Sequence, residues 1–395
     1  MAGPLDGIRV LELGSFIAGP FAGQLLADYG AEVIKIEQPG VGDAMRTWGI
    51  TRDGKSLWWP AIARNKKSVT VNLRTARGQE LVRRLAENCD IVLENFRPGT
   101  LDRWGLDYET VSASAPGVIY VHVSGFGQTG PRADEAGFGS VAEAVGGIRY
   151  TTGSPDRPPA RSGISLGDAL ASLFSVIGAV SAVHERSRSG RGQEVDVAIY
   201  EAVFALMESL LADYVMGGVL RQRSGSVLPG VAPSNVYPTA DGEDVVLAAN
   251  ADTVFQRLVA LMGRPELATD SDYATHQSRG ANSGTLDELI ASWTSQYKSA
   301  ELLTKLSEGG VPAGLINTAA TILRDEHFLA RDMIVWRQAG EWNVPMNGVV
   351  PKFSRTPGSI REIGPELGAH TDAVLTALAG GDADELARLH EDGVV

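Results

Sequence analysis

Cysteine is nearly absent from this 395-residue chain, in which Cys89 stands alone. A single thiol excludes an intramolecular disulfide and any thiolate-built metal cluster within the chain. Cys89 lies between an amphipathic run and a β-rich stretch, without basic residues clustered beside it, and so reads as core packing rather than as a nucleophile. Histidine is sparse as well: the six are scattered, none at HxxxH or HExxH spacing, and no metal site is expected. Positive charge is in deficit, 35 Lys and Arg against 48 Asp and Glu, for a formal charge of −13. That balance opposes non-specific binding to nucleic acid or an anionic membrane, and a small anionic ligand would need a local basic pocket. The start, MAGPLDGIRVLELG, shows neither a basic leader nor a long apolar core, so no export signal is expected. Long apolar runs are missing too. The most apolar stretch, Ala169 to Val183, has 15 residues, short of the roughly 20 that cross a bilayer, and reads as a core helix. These absences together point to a cytoplasmic protein with no nucleic-acid or membrane partner.

What is present is hydrophobic periodicity. Hydrophobic residues make up 44% of the chain, enough for a sizeable core. Period-two and helical patterns alternate: strand at Ile8 to Leu13, helix at Phe21 to Tyr29, strand at Glu32 to Ile36, strand at Ser68 to Leu73, helix near Arg77 to Glu87. Strands at Ile91 to Asn95 and Val118 to Val123 follow. The fold class is therefore α/β, with a large domain built on a mainly parallel, doubly wound sheet covered on both faces. After the apolar helix come a strand at Glu194 to Val197 and a second long apolar helix reaching about Met216. The Gly-, Pro- and Ser-rich segment RQRSGSVLPGVAPSN, residues 221 to 235, breaks the pattern and marks a domain boundary. The expected organisation is a large domain over 1–220, a smaller α/β domain over 221–330, and a C-terminal segment over 331–395. The smaller domain should carry a strand at Asp244 to Ala249 and helices near Thr253 to Met262, Leu286 to Trp293 and Ala300 to Glu308.

Several motifs have both a plain and a functional reading. GFGQTG, Gly125 to Gly130, matches GxGxxG after a strand, but Pro131 and RADEAG follow where a dinucleotide site needs a helix and then a strand ending in an acid. A flexible loop bringing backbone N–H groups to a ligand is the better functional reading, and an ordinary surface loop is the plain one. Ser165 lies in GISLG rather than GxSxG, which argues against a serine hydrolase. Lys35, Arg46, the group Arg64, Lys66 and Lys67, and the pair Arg97 and Arg103 gather despite the acidic total. Such charges are ordinarily solvated, yet Lys35, Arg64 and Arg97 fall near strand ends, where open α/β sheets place ligands and a guanidinium suits a phosphate. Asp168 closes RSGISLGD at the mouth of the apolar helix. It can cap that helix, or it can serve as a nucleophile held ionised by the same donors.

The ordered stretches PLDGIRVLEL, AGPFAGQLLADYGAEVIKIEQPGVGDAMRTWG, RNKKSVTVNL, ENFRPGTLDRWGL, VSGFGQTGP, Gly167-Asp168, SGRGQEVDVAIYEA, GVPAGLIN and LGAHTDAVL resemble the class III CoA-transferases and the related α-methylacyl-CoA racemases over nearly the whole chain. GVGDAMRTWG and RNKKS are most similar to the dicarboxylate-using succinate–hydroxymethylglutarate type. The resemblance implies a Rossmann-like large domain to which the C-terminal segment returns, an interlocked, ring-like homodimer, and a CoA thioester as substrate, with no prosthetic group. It implies a small carboxylic, in particular dicarboxylic, acid as acceptor. Asp168 matches the family's catalytic aspartate. Phe16, Ala18, Asn72, Leu73, Asn95, Phe96, Arg97, Arg103 and Arg132 match its CoA-binding positions. Arg46, Trp48, Gly125, Gly127 and Phe138 would line the acyl pocket, with Arg46 as a candidate for a distal carboxylate, though equally a phosphate contact or a solvated side chain.

Three departures qualify the resemblance. Gln38 stands where many members carry Arg, so one phosphate contact is lost or replaced. Only LPGVAPSN, residues 228 to 235, occupies the place of the oxalate enzymes' long glycine loop, which argues against oxalate as acceptor. Phe138 and Gly139 stand where the racemases carry His and Asp, and a phenyl ring cannot exchange a proton. A transferase is thus expected over a racemase, or over a non-catalytic acyl-CoA-binding protein.

Overall fold

The computed structural model describes residues 3–395 of the chain. Six strands, β1 (Arg9–Glu12), β2 (Glu32–Glu37), β3 (Lys66–Thr70), β4 (Ile91–Glu94), β5 (Ile119–Ser124) and β6 (Glu194–Ala198), form one sheet in the order β3-β2-β1-β4-β5-β6. Every neighbouring pair is parallel. Alternation along the strands decides which face each residue enters: Val10, Val33, Ile91 and Ile119 belong to one core, Leu11, Ile34, Val92 and Tyr120 to the other. The first core lies under α1 (Ala18–Asp28) and α4 (Leu166–Ser189), the second under α2 (Ala76–Ala86) and the helices Thr371–Ala379 and Ala383–Glu391 of the C-terminal segment. With helices on both faces and the order reversing between β1 and β4, the loops leaving those strands diverge into a crevice. That is where a doubly wound sheet binds ligands.

The chain divides into two compact units: Met1–Ile148, Ser162–Ser209 and His327–Val395 make one, Arg149–Arg161 and Leu210–Glu326 the other. The second holds an antiparallel sheet of Ala313–Leu315, Asp244–Ala248 and Ser234–Pro238, packed by helices Asp252–Leu261, Ser283–Thr294 and Ser299–Glu308 around Tyr237, Val245, Leu247, Phe255 and Leu286. In the first, the C-terminal segment joins the sheet region: His370 N–H donates to Ser68 O and Asn72 N–H to Val394 O.

Two elements differ from the sequence reading. The second apolar helix is not continuous; Ile199–Phe204 and Leu210–Val215 are separated by a turn in which Glu208 takes φ 51°. Apolar residues continue across the break, so composition alone conceals it. The first apolar helix, α4, is longer than its apolar stretch and runs 24 residues to the charged turn ERSRS. It is long and apolar enough to cross a membrane by length and composition, with 39% of its most apolar window buried. One face packs into the core through Ala171, Ser175, Ala179 and Ala182, while Leu173, Ile177 and Val180 form an exposed stripe. Cys89 is buried, and burial pushes its thiol up to about 12, which fits a packing role.

Candidate active site

Asp168 sits in the first turn of α4, three residues after Ser165, which occupies the N-cap position. It is therefore not the cap the sequence suggested: Ser165 leaves the helix conformation first, and Asp168 lies one turn inside, partly exposed, at the positive end of the helix dipole. Glu143, buried on α3 (Gly139–Val145), accepts the Gly167 N–H at 3.2 Å and meets one of the donors that the helix start leaves open. Ser172 Oγ lies 2.7 Å from Ala18 O and 2.8 Å from Asp168 O, donating to one at a time, so it pins the start of α1 to the turn bearing Asp168.

The crevice between β1 and β4 collects several of the expected CoA residues. Asn95 grips Ser15 at both ends, its Oδ1 accepting Ser15 N–H at 2.9 Å and its Nδ2 donating to Ser15 O at 2.8 Å. Phe16 follows with φ 64°, a left-handed backbone that is costly for a bulky side chain. Its N–H donates to Asp43 Oδ1 at 3.2 Å, and its ring meets Trp48 edge-on at 5.6 Å. Across the crevice, Phe96 N–H donates to Glu94 Oε2 at 2.7 Å while its ring packs on Trp104. Arg97 is exposed and has no ion pair among the described residues; Arg103 donates to Thr100. Arg132 pairs with Glu135 and lies 4.0 Å over the Phe126 ring. Asn72 and Leu73 follow β3, where Asn72 Oδ1 accepts from Arg74 N–H and Leu73 O from Gln79. A cleft of about 550 Å³ lined by Pro39, Thr70, Gly368, Thr371 and Asp372 opens at this outer edge, and none of the residues around Asp168 lines it.

Several expected contacts are already committed elsewhere. Arg46 donates from Nε and Nη2 to both oxygens of Glu37 at 2.7 Å and from Nη1 to Pro365 O, and stacks 3.9 Å over Trp59. This guanidinium braces the loop after β2; its strong donors are not presented to a ligand. Arg64 is buried in a forked pair with Asp28, and Lys67 pairs with Glu32. Lys35 and Lys66 are buried against Glu12, with Lys35 also 2.7 Å from Asp43. Of the basic residues near strand ends, Arg97 is the one left facing solvent. In the glycine loop, Gly127 N–H is taken by Ser124 Oγ and Gln128 N–H by Asp196, both at 2.8 Å, so these two donors are not open to an oxyanion. Gly125 instead packs Cα against Gly137, leading the chain to Phe138, which is 68% exposed, and to Gly139 beneath the Asp168 carboxylate.

Sequence reasoning passed over Glu143, Asp43 and the pair Glu94–His122. Asp43 stood within GVGD, but nothing local shows that it receives the Phe16 N–H. His122 Nδ1 is 2.7 Å from Glu94 Oε1 and Nε2 is 3.3 Å from Glu194. Burial alone would lower the imidazole, but the Glu94 hydrogen bond and the charges of Glu94 and Glu194 outweigh it and raise it. A raised folded value means the stabilisation is complete below the free imidazole's value, near pH 6.5, and is lost as pH rises through the folded value. His122→Gln should therefore cost about 2 kcal/mol at pH 6, the scale of a hydrogen bond to a charged group. Melting curves should show that deficit shrinking toward pH 9; a pH-independent deficit would remove the charge argument.

A doubly wound sheet with an aspartate in the first turn of a helix near its switch point defines, in outline, an α/β protein that binds its ligand at the carboxyl ends of the strands. The chain belongs to CoA-transferase family III, whose family model matches residues 5–371. It is an enzyme of the CoA-transferase type, and such enzymes take CoA thioesters as substrates. It is similar to a succinyl-CoA–D-citramalate CoA-transferase of Chloroflexus aurantiacus, 56% identical over 99% of this chain and 98% of that protein. A succinate–glutarate CoA-transferase of Agrobacterium fabrum is 37% identical over 95% of this chain and 96% of its own length. Among solved structures, a CaiB/BaiF family protein from Brucella suis matches with a TM-score of 0.84 at 39% identity, covering 96% of this chain and all of that one.

Proposed function

We propose that this enzyme moves CoA from succinyl-CoA to a small 2-hydroxydicarboxylic acid of the citramalate kind, through a thioester on Asp168. The observation that carries the mechanism is the Asp168 carboxylate, partly exposed in the first turn of α4 and lying against Gly139. A carboxylate oxygen of Asp168 adds to the donor thioester carbonyl; the C–S bond breaks and CoA leaves as thiolate, giving a mixed anhydride. The thiolate then attacks the aspartyl carbonyl, the anhydride C–O bond breaks, and succinate departs. The acceptor carboxylate reverses both steps. No proton is consumed, because each acyl bond broken is replaced by another activated acyl bond, thioester to anhydride and anhydride to thioester.

The acceptor class is supported by the gradient of likeness: 56% to the D-citramalate enzyme, 39% and 41% to the two subunits of a succinyl-CoA–L-malate CoA-transferase of the same genus. Phe16, Ala18, Asn72, Leu73, Asn95, Phe96, Arg97, Arg103 and Arg132 would hold the CoA, and Trp48, Gly125, Gly127 and Phe138 would border the acyl group. A panel of citramalate, malate, glutarate, itaconate and branched monoacids with succinyl-CoA, read by product mass, tests the reading. Citramalyl- or malyl-CoA should dominate, and a preference for a monoacid would overturn it.

The site is also proposed to work in a homodimer of interlocked rings. Support comes from the stripe Leu173, Ile177 and Val180 on α4, which a second copy would cover. Sedimentation at falling concentration should show no monomer in native buffer, and a clean reversible dissociation would refute the threaded topology.

A further inference from the structure

The glycines around Asp168 carry an inference that rests on its being the nucleophile and goes further than that role. A Cβ placed on Gly139 would lie 2.3 Å from Asp168 Oδ2, 2.7 Å from Cγ and 2.9 Å from Oδ1. Non-bonded carbon atoms are at ease near 3.5–4.0 Å, so the carboxylate occupies the space that a side chain at 139 would need. Backbone conformation does not explain a glycine there. Gly139 opens α3 after Phe138, which has ordinary extended angles, and its own φ is not left-handed. In a helix alanine is favoured over glycine by about 1 kcal/mol. The surroundings are built to the same tolerance. A Cβ on Gly167 would meet Gly139 O at 3.0 Å and Glu143 Cγ at 3.3 Å, and Gly125 and Gly137 would each place one within 2.7 Å of the other's Cα. Three segments, the loop after β5, the entry to α3 and the first turn of α4, are thus stacked backbone on backbone, and the Asp168 carboxylate lies in the space above Gly139.

We propose that Gly139 is a positioning residue: the side chain it lacks lets the Asp168 carboxylate rest against the start of α3, and this sets the direction from which its oxygen reaches the thioester. Alanine at 139 would push the carboxylate off that seat while leaving the residues that hold CoA untouched.

The test compares Gly139→Ala with Asp168→Asn and with Gly284→Ala, a control in the first turn of another helix, where an added Cβ meets nothing within 4 Å. With succinyl-CoA and no acceptor, Gly139→Ala should load CoA onto Asp168 about 100-fold more slowly, the cost of a displacement near 1 Å at a reacting atom. Its kcat should fall in step, with KM for succinyl-CoA within about threefold of the parent. Gly284→Ala should match the parent. Because a sluggish variant could also be a misfolded one, melting temperatures close a cycle: Gly139→Ala should lower the melting point when residue 168 is Asp, and not when Asp168 has been replaced by Ala. Equal shifts in both backgrounds, or parent-like loading by Gly139→Ala beside an inactive Asp168→Asn, would overturn the positioning role alone. An active Asp168→Asn would overturn the nucleophile together with it.

Discussion

Asp168→Asn should leave a folded, CoA-binding protein that never loads CoA and turns over at least about 10⁴-fold more slowly, the scale on which removal of a covalent nucleophile is felt. The amide keeps the volume and the oxygen of the carboxylate but cannot attack as an anion. Its structural cost is small, because Asp168 lies in the first turn of α4 and not at its cap, and the attraction of its charge to the helix dipole is about 0.3–1 kcal/mol. Against a domain stability of about 5–15 kcal/mol that loss is minor. Mass spectrometry of the parent after succinyl-CoA alone should show one CoA adduct on the peptide containing Asp168, cleaved by hydroxylamine and reduced by borohydride at that side chain. The Asn variant should show none, with its melting curve nearly superimposed. If the aspartate served only the helix, the ordering would invert: activity nearly intact, and the difference confined to stability.

The sheet was legible because each strand carries its own period of two, and Val10 and Leu11, or Ile91 and Val92, enter opposite cores as that period requires. The position of Asp168 at the start of an apolar helix was legible from the turn before it and the hydropathy after it, whereas its proposed role as nucleophile rests on the family resemblance. What stayed hidden was pairing. Arg46 and Glu37 are nine residues apart, yet only the turn after β2 brings the fork onto the carboxylate. Lys35 read as a charge near a ligand-binding strand end because the sequence cannot show that Glu12 lies between it and Lys66. The end of α4 was hidden differently: hydropathy stops near Val183, but the helix continues through charged residues that are good helix formers and turn to solvent. Contacts such as Ser68 with His370, 302 positions apart, leave no local trace at all.

The largest stability effect should come from that hidden cluster. Glu12, Glu37 and Asp43 face Lys35, Lys66 and Arg46, three carboxylates against three cations, with Lys35 and Glu12 at 2% and 0% side-chain exposure. Gly23 lets α1 close over it, since a Cβ there would meet Glu12 Oε2 at 1.9 Å. Burial would lower the Lys35 ammonium, but Glu12, Asp43 and Glu37 outweigh it and raise it; burial would raise Asp43, but Lys35 and backbone donors hold it below the usual carboxylate range. Lys35→Met therefore leaves Asp43 as a buried anion without its counter-ion and should cost about 3–5 kcal/mol. Lys35→Met with Asp43→Asn should recover much of that, since no lone charge remains and the amide oxygen can still accept from Phe16 and Met45. The pH dependence has a definite sign. A depressed Asp43 contributes fully above the unfolded carboxylate's value, near pH 4, and the contribution is lost as pH falls through the lower folded value. Acid titration of melting temperature should accordingly show a steeper fall below pH 4 for the parent than for the double variant. The same loss should reach catalysis through Phe16, whose left-handed backbone depends on the Asp43 acceptor: Asp43→Ala, which removes it, should raise KM for acyl-CoA more than Asp43→Asn, which keeps it. Equal KM values in the two variants would show that the ionic cluster supports the fold but not the wall of the crevice.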